Sequence, residues 1–514
     1  MKAGWKWAAA AMVTGAIWTG CTPDNPDARV PQEQNNPGLD TPQQNEPTPD
    51  KPLPIPTPPS GDGGTTTPPG DGGTGDGGTT PPATQPPEAE ITFPTTPGWQ
   101  FFGTQHGGPR RIYGVSADEG GNVWVAGGED GLFLLTPGAT ALRRYTMAEG
   151  LHPFGYMPDG SDAPGEKYLK AISVAGGPAG TVFVGYEGRP GGNGAQHCEN
   201  NWDSNSPDPS RYKSGDADKV TLNADGTVTV VHYDIFSGPN VVAAEQRGRE
   251  KLCNILRIAY DKATQSVWFG GNHGFARGDA TYTGNHTCNG QLSCTGVFEH
   301  VHPALNAQDD KGNNILLTDA YYGVAVHSSG DVFFGGANRS TRFRYGSNSL
   351  NYWRSQSETE DKAYAWNRFD IWQDLVQEPN EPKPSQRVDD NVSGMAVVGE
   401  TVWVSSFTKG LARMNTQGGE VQSVNVGDNA LSTVAADPSG EGVWTGARWL
   451  GVVYRIQNGV QRTYSCGEFG RQLCGSRIAE IQVDRSSATR RILVGFMGND
   501  ATHTPGALGI YTGE

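Results

Sequence analysis

From Ile112 to Tyr511 the chain repeats one pattern seven times, and a repeat of this kind limits the fold more than any other feature. Each unit is a short alternating strand, a Gly- or Asp-containing turn, and a strand ending in an aromatic or aliphatic pair plus Gly. A second turn and a further strand follow. In the first unit these are Ile112–Asp118, Gly121–Gly127 and Asp130–Leu134; in the sixth they are Leu431–Asp437, Gly442–Gly446 and Gly451–Arg455. The second strand carries a central aromatic at Trp124, Phe183, Trp268, Phe333, Trp403 or Trp444. Extra strands such as Leu142–Tyr145, Gly296–His300 and Val460–Tyr464 give several units a fourth strand. Such a sheet buries its faces only against neighbours. An open row would also leave unpaired edges, so the array must close on itself. Trp99–Phe102 reads as an outer strand stranded before the first repeat, and the last repeat stops after its third strand. The two ends of the array are therefore expected to share one sheet.

Four short antiparallel strands per unit, aromatic on the second strand and small Gly, Ala or Ser on the innermost, predict an all-β, seven-bladed β-propeller over residues 99–514. The run Asp118-x-x-Gly121-x-Val123-Trp124-Val125, closed by Gly131-Leu132, resembles the propeller repeats in sensor regions of two-component regulators. It is also similar to WD40-like and lyase-type bacterial propellers. The resemblance implies an architecture with very little helix; function has to be argued from sites.

The first 98 residues have a different character. Lys2 and Lys6 precede an uncharged, mostly apolar run from Trp7 to Thr19, the pattern of a secretory signal peptide over residues 1–20. That run is shorter than the ~20 residues a membrane-spanning helix needs. Thr19-Gly20-Cys21 resembles the lipobox of bacterial lipoproteins, with Trp18 where that family has an aliphatic residue. The resemblance implies lipidation of Cys21 and, with Thr22 next, an outer-membrane or cell-surface address. Residues 22–98 hold 20 of the chain's 36 prolines, 11 glycines, 11 acidic and 2 basic residues, and Phe93 as the one aromatic. With so little to bury, this Pro/Gly-rich linker cannot offset its conformational entropy and is expected to be a disordered stalk from Cys21 to residue 98. Lys and Arg number 39 against 55 Asp and Glu, for a net charge of −16. That balance argues against nucleic acid as a partner.

Aromatic-to-aromatic spacing exceeds the ~40–45 residues of a blade at three places, Gly188–Asp216, Asp279–Thr295 and Gly346–Asp390. Insertions in repeat arrays commonly form the binding face. Apart from Cys21 the cysteines form an even set, which in an exported chain reads as disulfides. Cys288–Cys294 and Cys466–Cys474 are the local pairs, leaving Cys198–Cys253. Within the third insertion Trp366, Phe369 and Trp372 recur every three residues. This predicts one face of a short helix, either a packed lid or an aromatic platform for a sugar or peptide.

Chemistry is sparse. No nucleophile elbow, P-loop or His-Glu-x-x-His motif occurs. His300 and His302 sit on one side of a strand without an evident third metal ligand. Asp309–Asn314 and Asn223–Gly226 lack the glutamate that ends a calcium loop, so turn chemistry accounts for them better, and no cofactor is expected, with calcium as the alternative. Lyase-type propellers use an axial histidine, for which His106, His273 and His327 are the candidates. Loops between second and third strands should line one rim, bringing Asp130, Arg189, His273, Arg339, Lys409, Arg448, Trp449 and Asp500 together for a polar ligand. The reading is a lipid-anchored envelope protein whose propeller binds a protein, peptide or glycan. The alternative is a propeller lyase or hydrolase acting on a glycan or small lactone.

Overall fold

A computed structural model describes residues 90–154, 162, 167–188, 215–233, 254–272, 274–284, 297–301, 320–336, 340–344, 366–369, 390–437, 442–486 and 490–513. Its strands pair into seven four-stranded antiparallel sheets. Sheet 1 is Gly114–Ala117, Val123–Ala126, Leu132–Leu135 and Arg143–Tyr145. Sheet 2 is Ala171–Gly176, Thr181–Tyr186, Ala217–Leu222 and Val228–Tyr233. Sheet 3 is Ile255–Asp261, Ser266–Gly271, Gly274–Asp279 and Val297–Val301. Sheet 4 is Tyr321–Val326, Asp331–Gly336, Ser340–Arg344 and Trp366–Phe369. Sheet 5 is Val392–Val398, Thr401–Ser406, Gly410–Asn415 and Gln422–Val424. Sheet 6 is Leu431–Ala436, Val443–Ala447, Val453–Gln457 and Val460–Tyr464. Sheet 7 takes Ile478–Asp484, Arg491–Phe496 and Ala507–Tyr511 from the end of the chain and Trp99–Phe102 from before sheet 1.

The arrangement is that of a β-propeller. The first strand of every sheet touches the first strands of the sheets on either side, and that of sheet 7 touches that of sheet 1. Closure is made by backbone pairing: Trp99 lies opposite Tyr511 and Phe102 opposite Leu508. Trp99 then packs edge-on against Phe469 at 4.9 Å and against Tyr464 at 5.5 Å, so side chains of sheet 6 and of the helical segment that follows it lock the joining strand in place.

The second-strand aromatics fill the spaces between sheets. Trp124, fully buried, shares a cluster with Val174, Val182 and Val184 of sheet 2. Trp444 stacks on Tyr464 at 5.7 Å and meets Ile478 and Ile481 of sheet 7. A buried side chain of this size contributes on the order of 4–5 kcal/mol by area. Asp118 explains why an acid opens the repeat motif. Its carboxylate accepts Gly120 N (2.8 Å) and Asn122 N (3.2 Å) in the turn, and Trp124 Nε1 (2.9 Å) in the strand. It also accepts Gly180 N (3.1 Å) from the neighbouring sheet. One side chain thus joins turn, core aromatic and next sheet.

One expectation changes at sheet 4. Trp366–Phe369 is not a helix face but the outer strand of sheet 4, paired with Ser340–Arg344. The edge of a three-stranded sheet needs a partner for its N–H and C=O groups, and this segment supplies it; Trp372 lies outside the described residues. The expected Cys466–Cys474 disulfide pair is at disulfide distance, Cα atoms 4.9 Å apart, and the two cysteines bracket a helix, Cys466–Cys474. Cys21, Cys198, Cys253, Cys288 and Cys294 lie outside the described residues, as do the signal and stalk segments up to residue 89. Residues 90–98, expected as the end of the disordered stalk, pack on the propeller instead, with Ile91 buried and Phe93 stacked on Phe101 at 5.5 Å, because these two side chains give the segment something to bury. Asn223–Gly226 is a hairpin turn in which Asp225 Oδ1 accepts Thr227 N (2.9 Å) and Thr227 Oγ1 (2.6 Å), as turn chemistry requires. The Asp309–Asn314 segment and His302 are not described, and nothing of the His300 side chain is. Among the described residues no group of three or more His, Cys, Asp or Glu is placed to hold a metal ion, and no helix is long and apolar enough to cross a membrane.

Candidate functional site

The loops joining second to third strands lie together at one end of the sheets, opposite the turns joining first to second strands. Of the residues expected there, Asp130, Lys409, Arg448, Trp449 and Asp500 are described; Arg189, His273 and Arg339 lie outside the described residues. The five do not converge on one spot. They divide into an ion-paired sector and an aromatic sector.

In the first sector the carboxylates are held by arginines of the chain itself. Arg110 reaches Asp130 with its backbone N–H (2.9 Å) and with Nη2 (3.1 Å), and Arg144 approaches the same carboxylate at 3.9 Å. Arg111 Nε donates to Asp500 Oδ1 at 2.9 Å. Exposed pairs of this kind stabilise by less than about 1 kcal/mol. They do offset the charge an incoming cation would need.

The second sector is a ladder of rings and guanidinium groups. Tyr322 packs edge-on against Phe407 at 5.2 Å. The Arg448 guanidinium sits 4.5 Å from the Phe407 ring and 4.4 Å from the Trp449 ring, and Arg477 stands 6.0 Å from the same indole. Arg448 is nearly buried, whereas Trp449 and Leu450 are 37% and 53% exposed. The loop carrying them is pinned on both sides. Arg448 N donates to Ala430 O (2.8 Å), and Gly451 N donates to Cys474 O (2.9 Å) at the end of the helix. Gly451 has to be glycine, because a Cβ there would overlap the Leu473 carbonyl. The same helix end holds the sheet 7 loop: Gly498 N donates to Ser476 Oγ (2.7 Å) and Asn499 Nδ2 to Gly475 O (3.0 Å). Lys409 is positioned by its backbone, which donates to Ser406 Oγ at 3.1 Å.

Two charged residues at the axis escaped the sequence reading. Six of the seven first strands carry a register shift near their start. The residue just past it is Ser173, Arg257, Gly323, Gly394, Thr433 or Glu480, with Gly114 in the matching place of sheet 1. Small residues are needed there, since a Cβ on Gly394 would lie 3.0 Å from Val434 N. Arg257 and Glu480 are the exceptions, and they meet across the axis. Arg257 Nη1 pairs with Glu480 Oε1, Arg257 Nε donates to Tyr322 O at 2.9 Å, and Val115 N donates to Glu480 Oε2 at 3.1 Å. Burial pushes the Glu480 carboxyl above its ordinary range, and the Arg257 guanidinium draws it only part of the way back. The signal was present in Ile255-Leu256-Arg257-Ile258 and Ile478-Ala479-Glu480-Ile481, opposite charges at one repeat position.

The perturbed histidine lies away from the axis, at the edge of sheet 2. His232 Nδ1 is 2.8 Å from Asp218 Oδ1, Tyr186 donates to Asp218 Oδ2 at 2.5 Å, and the His152 ring lies 4.8 Å from that of His232. Burial and the neighbouring His232 lower His152 to about 4. The side chains of His232 and Asp218 have no solvent access, so this cluster braces the sheet. His106 accepts Gly103 N at 3.1 Å in a turn, and His327 bonds Ser329 in another. Neither approaches Glu480.

The sequence matches no family model and no curated protein. Similar solved structures exist at low identity. A mitotic checkpoint complex chain is 10% identical, with 86% of this chain and 98% of that one covered and a TM-score of 0.44. YCF48 bound to D1 peptide is 11% identical, with 83% and 99% covered and a TM-score of 0.42. The extracellular domain of BT4673 from B. thetaiotaomicron is 12% identical, with 81% of this chain but 42% of that one covered and a TM-score of 0.45. The propeller assignment rests on the strand pairing described above.

The axial pair leads to a pH-dependent expectation. Arg257→Met leaves the Glu480 carboxyl buried without its cation, which raises its folded-state pKa further. A raised pKa contributes stability below the unfolded value of about 4.3 and loses it as pH rises. Denaturant titration should therefore show a loss of roughly 3–5 kcal/mol at pH 8 and a smaller loss at pH 5. Equal losses at both pH values would contradict the pairing.

Proposed function

We propose that this chain is an exported, lipid-anchored envelope protein whose seven-bladed propeller binds a protein, peptide or glycan partner through the rim of loops joining second to third strands. The observation that carries the reading is the exposure of Trp449 and Leu450 on a loop pinned at both sides, with Arg448 stacked behind the indole. Tryptophan and arginine dominate binding hot spots because they bring large contact area and directed polar groups at small entropic cost. Pinning the loop before a partner arrives avoids an ordering penalty during association. The anchoring half of the proposal is supported by Lys2, Lys6, the apolar run and Cys21, and the segment from residue 22 to residue 89 would hold the propeller off the membrane. A lyase or hydrolase has weaker support: the axial carboxylate is paired with Arg257, and the perturbed histidine belongs to the packing of sheet 2.

A photo-crosslinking residue placed at Leu450 in cells should yield a discrete adduct, while the same residue at Val460, 70% exposed on the outer hairpin of sheet 6, should not. Trp449→Ala should weaken that partner's binding at least roughly 30-fold, the effect of removing a hot-spot side chain. Adducts of equal yield at both positions would remove the rim from the account. Separately, Cys21→Ser should move the chain from the membrane to the soluble fraction, and unchanged membrane association would refute lipidation.

A further inference from the structure

The axial ion pair stands at one end of a cavity. About 350 Å³ of open space lies between the first strands, on the side facing the turns from first to second strands and thus away from the Trp449 rim. That is room for about ten water molecules at ~30 Å³ each. Most wall residues are Ala, Val, Ile or Met, yet the lining exposed to the cavity is mostly polar. Topology accounts for the difference. Every first strand stands at the end of its sheet and pairs on one side only, so its other edge, with alternate N–H and C=O groups, faces the axis. The apolar side chains turn sideways into the spaces between sheets: Ile258 packs with sheet 2, Met395 with sheet 4 and Ile481 with sheet 6.

Side chains add a polar strip along one wall. Ser116 Oγ accepts Gly176 N (2.7 Å) and donates to Gln482 Oε1 (2.9 Å). Gln482 hydrogen-bonds Glu480 in turn, and Glu480 pairs with Arg257. Among the described residues lining the cavity, Arg257 and Glu480 are the only charged ones, and they offset each other. A charged ligand would therefore lose its hydration without gaining a counter-ion. An apolar ligand would strip water from strand-edge N–H and C=O groups and leave them unpaired. A ligand that replaces this water has to be uncharged and to carry donors and acceptors on all sides. A hydroxyl is both donor and acceptor. A ring bearing several hydroxyls directs them outward, as the strand edges around the axis are directed inward.

We propose that the axial cavity is a binding site for a small uncharged cyclic polyol, held by the strand edges and by Gln482. The site is separate from the rim and does not depend on the partner-binding reading. The probe is myo-inositol, measured against the full chain by equilibrium dialysis, with cyclohexanol and myo-inositol 1-phosphate as controls. It should bind saturably at one site, at least tenfold tighter than either control. Gln482→Leu removes the side-chain link while sparing the ion pair, and should weaken myo-inositol at least tenfold. Thr433→Val removes a wall hydroxyl at nearly constant volume, and should weaken it at least threefold even if the Gln482 variant fails to fold. Non-saturable binding, binding matched or exceeded by either control, or full affinity in either folded variant overturns the proposal.

Discussion

The structure depends on the backbone pairing of Trp99–Phe102 with Ala507–Tyr511. A row of antiparallel sheets packed side by side has a free face at each end, and each sheet here buries its aromatics only against the next. Joining the last sheet to the start of the chain removes both ends together. Trp99 and Phe101 reinforce the join from the side, in one cluster with Tyr464, Phe469 and Tyr511. Because the first strands then ring a common axis, the position they share near their start can tolerate only small residues, or two large ones that satisfy each other.

Arg257 and Glu480 meet that second condition. Their pairing costs desolvation of both charges, and buried pairs are often no better than apolar replacements for stability alone. What the pair supplies is a fixed end to the axial tube and a guanidinium held flat across it by carbonyls of two further sheets. The other end of the sheets is organised differently. There the Cys466–Cys474 helix acts as a hub, bonding the loops of sheets 6 and 7 and receiving the chain before Trp99, where Thr96 Oγ1 donates to Glu468 O at 2.7 Å. The rigid Trp449–Leu450 loop is a consequence of that hub.

Much of this was legible in the chain because it is local. Alternating strands, turn residues and the second-strand aromatics each sit within one repeat, and the missing fourth strand of the last repeat pointed directly at Trp99–Phe102. What was not legible is non-local or poorly patterned. Arg111 and Asp500 are 389 residues apart in sequence, and no periodicity links them. The Cys466–Cys474 helix contains Gly467 and Gly470, the latter at φ 77°, and so lacks a clean 3.6-residue signature. Trp366 and Phe369 are spaced as a helix face would be, yet edge pairing with Ser340–Arg344 decided their state. The charged residues at the axis were visible as an anomaly within the repeat, but only the closed ring shows that they face each other.

Hydrogen exchange at single-residue resolution tests the closure most directly. If Trp99–Phe102 completes sheet 7, its strand amides exchange as slowly as those of Ala507–Tyr511 and are released with them, in one cooperative opening. Amides of Trp99–Phe102 that exchange like a fraying terminus while Ala507–Tyr511 stays protected would contradict a closed ring.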